Sequence, residues 1–307
     1  MDGSLIIDKP EGITSHTVVA RVRRIAGTRR VGHAGTLDPF ATGVLVVCVG
    51  RGTRLSQFLV GLDKEYIATI RLGFATDTQD LTGKQITPLR SSYNRSLEDV
   101  RRALSEFIGP QMQTPPMFSA KKIAGERLYR AAREGREVER MPVPINVYSI
   151  DLVDEGPEAL SSNDDGTRDF AVRVKCSSGT YVRTLGHDIG ERLGVGGHLA
   201  ALRRTAVGAF DISRAVGLED LERLGAERKL ESMVTGMAET VSHLPSVELD
   251  VGGIRAVKNG REVELPPEAT AKPDHPMRLL DKSGLLVAVG QYDEGRGTIR
   301  PRVVLGP

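Results

Sequence analysis

The chain has 307 residues, of which 39% are hydrophobic and 27% charged, the proportions of a globular protein with one large domain and a small one. No apolar run approaches a membrane span and the acidic opening MDGSLIIDKP does not read as a secretory signal, so a cytoplasmic protein is expected. The net charge of +2 hides basic clusters at Arg21–Arg30, Lys121–Arg136 and Arg203–Arg204, against acids gathered between Asp151 and Asp169, a pattern that favours a polyanion partner.

Leu5 to Asp8 reads as a short strand that ends at Lys9-Pro10 and the turn Glu11-Gly12. Thr14 or Ser15 can cap a helix in which Val18, Val19, Val22 and Ile25 recur at helical spacing, with arginines on the other face. Arg30 to Gly50 follows as a polar, glycine-rich half and then an apolar run, Val44 to Val49, which predicts a buried strand. Thr53 to Leu59 reads as a short helix, and Glu65 to Leu72 alternates as a strand. Phe74 to Lys84 is a polar loop holding Asp77, Asp80 and Gly83.

Ser96 caps an amphipathic helix that Gly109-Pro110 stops. Gln113 to Ala120 contains Pro115-Pro116 and reads as an ordered loop, and Gly125 to Gly135 as a basic helix. Ile145 to Val153 is a strand, Asp154 to Asp169 a flexible surface loop, and Phe170 to Cys176 a half-buried strand. Ser177-Ser178-Gly179 turns the chain into a helix with Val182, Leu185, Ile189 and Leu193 on its apolar stripe, broken by Gly194, Gly196 and Gly197. Short helical patterns follow near Leu218 to Leu224 and Arg228 to Met237. From Val247 onward the pieces are short and strand-like, a small β-rich domain. Cys48 and Cys176 both lie in apolar runs and read as buried free thiols.

Four sites stand out for chemistry. Asp38 sits in a Gly/Pro-shaped loop directly before a buried strand, a rigid mount for a reactive carboxylate, although a turn former before proline is the commoner use of such a residue. His33 lies among small residues, where a histidine gains little packing. Tyr66 starts a strand, the position of an ordinary packing aromatic or of a base platform. Tyr181 and Arg183 open a helix after a glycine turn; Arg183 pairs with a site carboxylate or simply solvates. The six histidines show no metal-ligand spacing, and phosphate-loop and dinucleotide fingerprints are lacking, so no metal or cofactor is expected.

Taken together, LIIDKPEGITSH, VGHAGTLDPFATGVL, the D-K-E-Y of Asp63 to Tyr66, TPPMFSAKKIAGERLYRAAREG, and KCSSGTYVRTLGHDIGERLG followed by LRR resemble the bacterial tRNA pseudouridine synthase B (TruB) family, in order from Leu5 to Phe210. The resemblance implies an α+β fold, a mixed and mostly antiparallel sheet flanked by helices, over residues 1–245, and a PUA-like RNA-binding domain over 246–307. It implies isomerisation of uridine 55 in the tRNA T arm to pseudouridine without metal or cofactor. Asp38 would be the nucleophile, aided by Tyr66 and by Arg183, which would keep the carboxylate ionised and aimed. His33 would help turn out the target nucleotide, with Tyr181, Leu202, Arg54 and Lys9 as further substrate contacts. Arg54 replaces an expected lysine, Phe118 an expected tyrosine, and the 154–169 loop is longer than usual. The expected partner is tRNA, with no protein partner and a monomeric state.

Two other readings compete with the enzyme. One is a tRNA-binding or folding factor whose basic surface matters more than catalysis. The other is a metal-dependent RNA nuclease with Asp77 and Asp80 as ligands, weakened by the lack of a paired carboxylate cluster.

Overall fold

The computed structural model describes residues 1–307 except 92–93, 120–121, 124–125, 129–131, 133, 135, 137, 157–158, 268, 271 and 306–307. The chain opens with β1 (Gly3–Lys9), α1 (Ser15–Ile25), β2 (Val31–His33), β3 (Thr42–Val49), a 3-10 turn (Gly50–Leu55), α2 (Ser56–Leu59) and β4 (Lys64–Leu72). It continues with α3 (Leu97–Ser105), β5 (Gly109–Gln113), β6 (Lys122–Ile123), β7 (Glu126–Arg127), β8 (Val143–Leu152), β9 (Ser161–Ser162) and β10 (Arg168–Cys176). Next come α4 (Val182–Arg192), β11 (Gly197–Val207), β12 (Phe210–Asp211), β13 (Val216–Gly217), α5 (Leu218–Ala226), β14 (Thr235–Gly236) and α6 (Met237–Thr240). The last part holds β15 (Ser246–Glu248), α7 (Val251–Lys258), β16 (Val263–Glu264), β17 (Pro276–Leu280), β18 (Leu286–Asp293) and β19 (Thr298–Val304).

The main sheet runs β13-β1-β3-β11-β4-β10-β8-β5. Its neighbours are antiparallel except β1 with β13 and β3 with β11. The β3–β11 join rests on Arg203↔Thr42 and Arg204↔Gly43, so the two halves of the sheet are joined by a short pairing. Gly43 makes that join possible. Its φ is +99°, and a Cβ there would lie 2.2 Å from the Arg204 carbonyl oxygen.

β4 alternates between buried and half-buried because one face lies under helices. Tyr66, Ala68, Ile70 and Leu72 share one core with Val18, Val19 and Val22 of α1, Val100 and Leu104 of α3, and Val182, Leu185 and Ile189 of α4. β3 is covered on both faces, which explains its unbroken apolar run. Leu45 and Val47 face that core, while Val44 and Val46 face a second cluster with Leu55 and Leu59. The second cluster includes Leu286, Val289, Val303 and Leu305 of the C-terminal sheet, ordered β15-β17-β18-β19-β16. Burying each such side chain contributes roughly 1.5–3 kcal/mol, so the C-terminal sheet is packed onto the main one rather than tethered to it.

Several expectations need correction. Gly109 to Gln113 is a strand, and Pro110 is tolerated because β5 is the last strand of the sheet's path. The supposed flexible loop after Asp154 is partly built in: Ala159 and Leu160 are buried, and β9 pairs with β10. Arg228 to Met237 forms a 3-10 turn (Leu230–Met233), β14 and the start of α6 rather than one helix. The C-terminal unit carries a helix, α7, capped by Asp250, which short strand-like spacing had not suggested. The basic helix read at Gly125 to Gly135, with Arg130 and Arg133, falls largely outside the described residues. The strand β7 occupies part of its beginning. Among the described residues no helix is long and apolar enough to cross a membrane. Cys48 and Cys176 are buried and free.

Candidate active site

The loop from Ala34 to Ala41 links β2 to β3 and arrives at the narrow join of the sheet. Its shape is fixed by groups around it. Ser15 Oγ donates to the Leu37 carbonyl at 3.1 Å and accepts from the Leu37 amide at 2.9 Å. The Gly12 amide donates to the Pro39 carbonyl at 2.8 Å. Lys9 is fully buried beneath the loop, and its ammonium donates to the carbonyls of Pro10, Ile13 and Pro39 at 2.8, 2.8 and 3.2 Å. Burial pushes Lys9 down to about 8, while the nearby Asp38 and Glu11 carboxylates pull it back up. A residue so enclosed supports the loop; it offers no surface for the substrate contact expected of it.

Arg204 of β11 does the same from the other side. It is 1% exposed, and it donates from Nε to the Val44 carbonyl at 2.7 Å and from Nη2 to the Gly35 carbonyl at 3.2 Å. Facing Tyr66 across the β11–β4 pair, it also pulls the Tyr66 phenol downward against burial, which raises it.

Asp38 emerges from this frame onto Arg183, the second residue of α4. Arg183 Nε lies 2.8 Å from Asp38 Oδ2. The rest of the guanidinium is occupied as well: Nη1 donates to the Thr78 carbonyl at 2.9 Å and lies 3.4 Å from Asp80 Oδ2, and Nη2 donates to the Phe118 carbonyl at 2.7 Å. Asp80 is itself held, since Oδ1 accepts from Thr78 Oγ1, the Thr82 amide and Thr82 Oγ1 at 2.8, 2.9 and 2.6 Å. Arg183 is therefore aimed by three segments at once. The start of α4 is fixed in turn by buried Gln113, which accepts from the Tyr181 amide at 2.8 Å and donates to its carbonyl at 3.1 Å.

Protein walls Asp38 on most sides while 35% of its side chain faces open space. That enclosure pushes its carboxyl above the usual aspartate range; Arg183 and Lys9 act against the rise, and Asp80 adds to it. The expectation that Arg183 keeps the carboxylate low thus holds for the sign of its own influence, but burial outweighs it.

Asp38, Arg183, Thr36, Leu37 and Ser119 form the wall between two cavities. The larger, about 480 Å³, is lined further by Thr14, His16, His33, Asp80 and Phe118. The smaller, about 250 Å³, holds Tyr66, Tyr181, Leu202, Lys64 and Arg204. In the first, the His33 ring meets that of His16 edge-on at 5.6 Å, and its buried Nδ1 has no hydrogen-bond partner. Burial, His16 and Arg204 all lower the His33 pKa, so the ring is neutral at ordinary pH. In the second, an aromatic face, a leucine and the carboxylate surround a space suited to a flat base.

The fold thus gathers Asp38, Tyr66, Arg183, His33, Tyr181 and Leu202. It leaves out Arg54, which is exposed on the 3-10 turn and donates to the Val304 carbonyl of β19, away from both cavities. Asp77 accepts from the Lys84 amide and Asp80 serves Arg183, so these two carboxylates do not form a shared ligand set. Sequence reasoning missed Asp80 as the partner of Arg183, Arg204 as a loop support, and Lys64 and His16 as cavity walls. Their residue types gave a signal, but their distances along the chain gave none.

Comparisons with known proteins bear on the family and the fold. Residues 23–182 match the TruB family pseudouridylate synthase N-terminal domain, and 183–242 the tRNA pseudouridylate synthase B C-terminal domain. The chain is 43% identical to tRNA pseudouridine synthase B of Geobacillus thermodenitrificans over 87% of each chain. It is also 43% identical to that of Geobacter sulfurreducens, over 94% of this chain and 93% of the relative. Among solved structures, a Cbf5-Nop10-Gar1 complex superposes with a TM-score of 0.76 at 27% identity, covering 99% of this chain and 85% of that one. An H/ACA RNP bound to a substrate RNA containing 2′-deoxyuridine gives 0.75 at 25%, with coverage of 99% and 85%. With the fold, the ordered motifs and the two family segments in agreement, the chain belongs to the TruB family of pseudouridylate synthases.

Proposed function

We propose that this protein converts uridine to pseudouridine in the T arm of tRNA, at position 55, with Asp38 as the nucleophile. The observation that carries the reading is the Asp38–Arg183 pair at 2.8 Å, set on the wall between a base-sized cavity and a wider cleft. Relatives across most of the chain carry the name tRNA pseudouridine synthase B, which supports tRNA as the substrate.

The reaction breaks the N1–C1′ bond, turns the uracil and forms a C5–C1′ bond; the C5 proton is lost and N1 gains one. A carboxylate can hold one fragment covalently while the base turns, as in retaining glycosidases. Arg183 aims that carboxylate. Tyr66 and Leu202 pack the flat base in the smaller cavity, and Tyr181 closes its side. The target nucleotide must leave its stack first, at a cost of a few kcal/mol. A neutral His33 in the larger cavity offsets part of this by shape, filling the space left behind. The C-terminal sheet would act as a PUA-like RNA-binding unit and strengthen the hold on tRNA.

The test uses purified protein, an unmodified tRNA transcript and mapping of pseudouridine. The wild-type chain should form one pseudouridine in the T loop. Asp38→Asn, which keeps shape and loses nucleophilicity, should form none while binding tRNA within several-fold. Substantial turnover by the pure Asn variant would overturn the assignment.

A further inference from the structure

Gly12 to Leu37 contains five arginines and two histidines and not one Asp or Glu. In the fold this stretch is α1 and the turn that follows it. The first turn of α1 opens into the larger cavity through Thr14, Ser15 and His16. From there its 11 residues carry the helix away by about 16 Å. Arg23 and Arg24 are exposed at its far end, Arg21 is half-buried, and Arg29 and Arg30 are exposed just beyond. The backbone there is anchored: Arg23 Nη2 donates to the Val31 carbonyl at 3.0 Å, and the Gly50 amide donates to the Arg30 carbonyl at 2.8 Å.

These arginines make no ion pair among the described residues. Some outward arginines elsewhere do, as Arg192 with Glu106, Arg214 with Glu239 and Arg223 with Asp220, while others such as Arg102, Arg228 and Arg255 stand singly; what sets the α1 group apart is five arginines within ten residues of chain. On the helix packed against α1, Asp220 engages Arg223 and the Glu227 that follows engages Lys229, while Glu219 and Glu222 form no ion pair with an α1 arginine. The result is a row of unpaired positive charge leading away from the active-site cleft.

We propose that this face of α1 is a rail for the backbone phosphates of a double-stranded RNA stem adjoining the nucleotide held in the cleft. The proposal rests on the functional reading above and adds where the substrate's stem lies. A looped-out nucleotide and the first pairs of its stem are separated by a few nucleotides, a distance α1 spans. Guanidiniums on a helix and on the anchored turn after it suit phosphate oxygens and read duplex position rather than base sequence. Each phosphate neutralised releases counterions, so the rail should declare itself in the salt dependence of binding.

The experiment combines Arg24→Gln, Arg29→Gln and Arg30→Gln, all at exposed positions outside the catalytic cavities. The probes are a T-arm hairpin transcript and a short single-stranded oligonucleotide of its loop sequence. Hairpin affinity at physiological salt should fall roughly 10- to 100-fold, and the slope of log affinity against log salt should become shallower by about three. Each single substitution should remove about 0.9 of that slope, the duplex value. Single-turnover rate at saturating hairpin should stay within about two-fold, because the reacting groups are untouched. Affinity for the loop oligonucleotide should not change.

An unchanged slope and affinity for the hairpin would overturn the rail and make α1 a solvated face. An equal loss for hairpin and loop oligonucleotide would overturn it too, since the arginines would then serve the loop. Failure of the functional reading looks different. A wild-type protein that binds the hairpin but never forms pseudouridine would refute the reaction and leave the salt-slope result to judge the rail.

Discussion

At the scale of single residues, the site turns on how one carboxylate is kept reactive. In the proposed mechanism Asp38 must be ionised to attack, and enclosure raises its pKa, so activity should fade on acidification at a higher pH than an ordinary aspartate would give. Asp80 contributes to that rise as a like charge held on the same arginine. Asp80→Asn removes the charge, lowers the Asp38 pKa and should move the acid limb of kcat/KM to lower pH. The same change leaves Arg183 with one partner fewer, so kcat should fall as well. A limb that stays in place or moves up would show that Asp80 does not act on Asp38. Both Asp38 and Arg183 were legible as candidates from residue type and loop setting. Asp80 was legible only as a carboxylate in a polar loop, because nothing along 103 residues of chain announces its contact with Arg183.

At the scale of elements, the join between β3 and β11 decides where the Asp38 loop stands. The close approach at Gly43 lets Arg204 reach the carbonyls of Gly35 and Val44 from the neighbouring strand. Gly43→Ala would place a methyl 2.2 Å from the Arg204 carbonyl oxygen at a φ of +99°. It should cost on the order of 3 kcal/mol in denaturant unfolding and slow single-turnover pseudouridine formation more than about 10-fold. Wild-type stability and rate in this variant would mean the join relaxes without consequence. The strand β11 shows why this was hidden. In the sequence Gly194, Gly196 and Gly197 read only as the break of the preceding helix, yet β11 starts at Gly197, pairs along β4 for most of its length and carries both Leu202 and Arg204.

At the scale of the whole molecule, the change in composition near residue 246 suggests a separate core, whose removal would leave a folded catalytic domain with weaker hold on tRNA. The packing argues otherwise. Leu286, Val289, Val303 and Leu305 share a core with Val44 and Val46 of β3, the strand that follows the Asp38 loop. Arg51 and Arg54 add donors to the carbonyls of Leu305 and Val304. Deleting residues 246–307 should therefore lower the melting temperature and create binding sites for a hydrophobic dye, through several kcal/mol of lost burial. A truncated protein that melts with the full chain and binds no dye would show that the sheet is merely docked.

The sequence by itself determined the local features: the capped helix at Thr14, the apolar run of β3, the alternation of β4, and ordered motifs specific enough to point to one family. These depend on nearest neighbours along the chain, which periodicity and turn chemistry report directly. Only the tertiary structure decided which polar residues serve chemistry and which serve support. Lys9 and Arg54 looked like substrate contacts, yet one is buried under the loop and the other faces the C-terminal sheet. Arg204 read as part of a basic cluster and Asp80 as a loop carboxylate, yet both are buried and hold the Asp38 loop and Arg183 in place. The reason is physical: a charge's role follows from which carbonyls and carboxylates surround it in space, and those arrive from distant segments only when strands and helices pack.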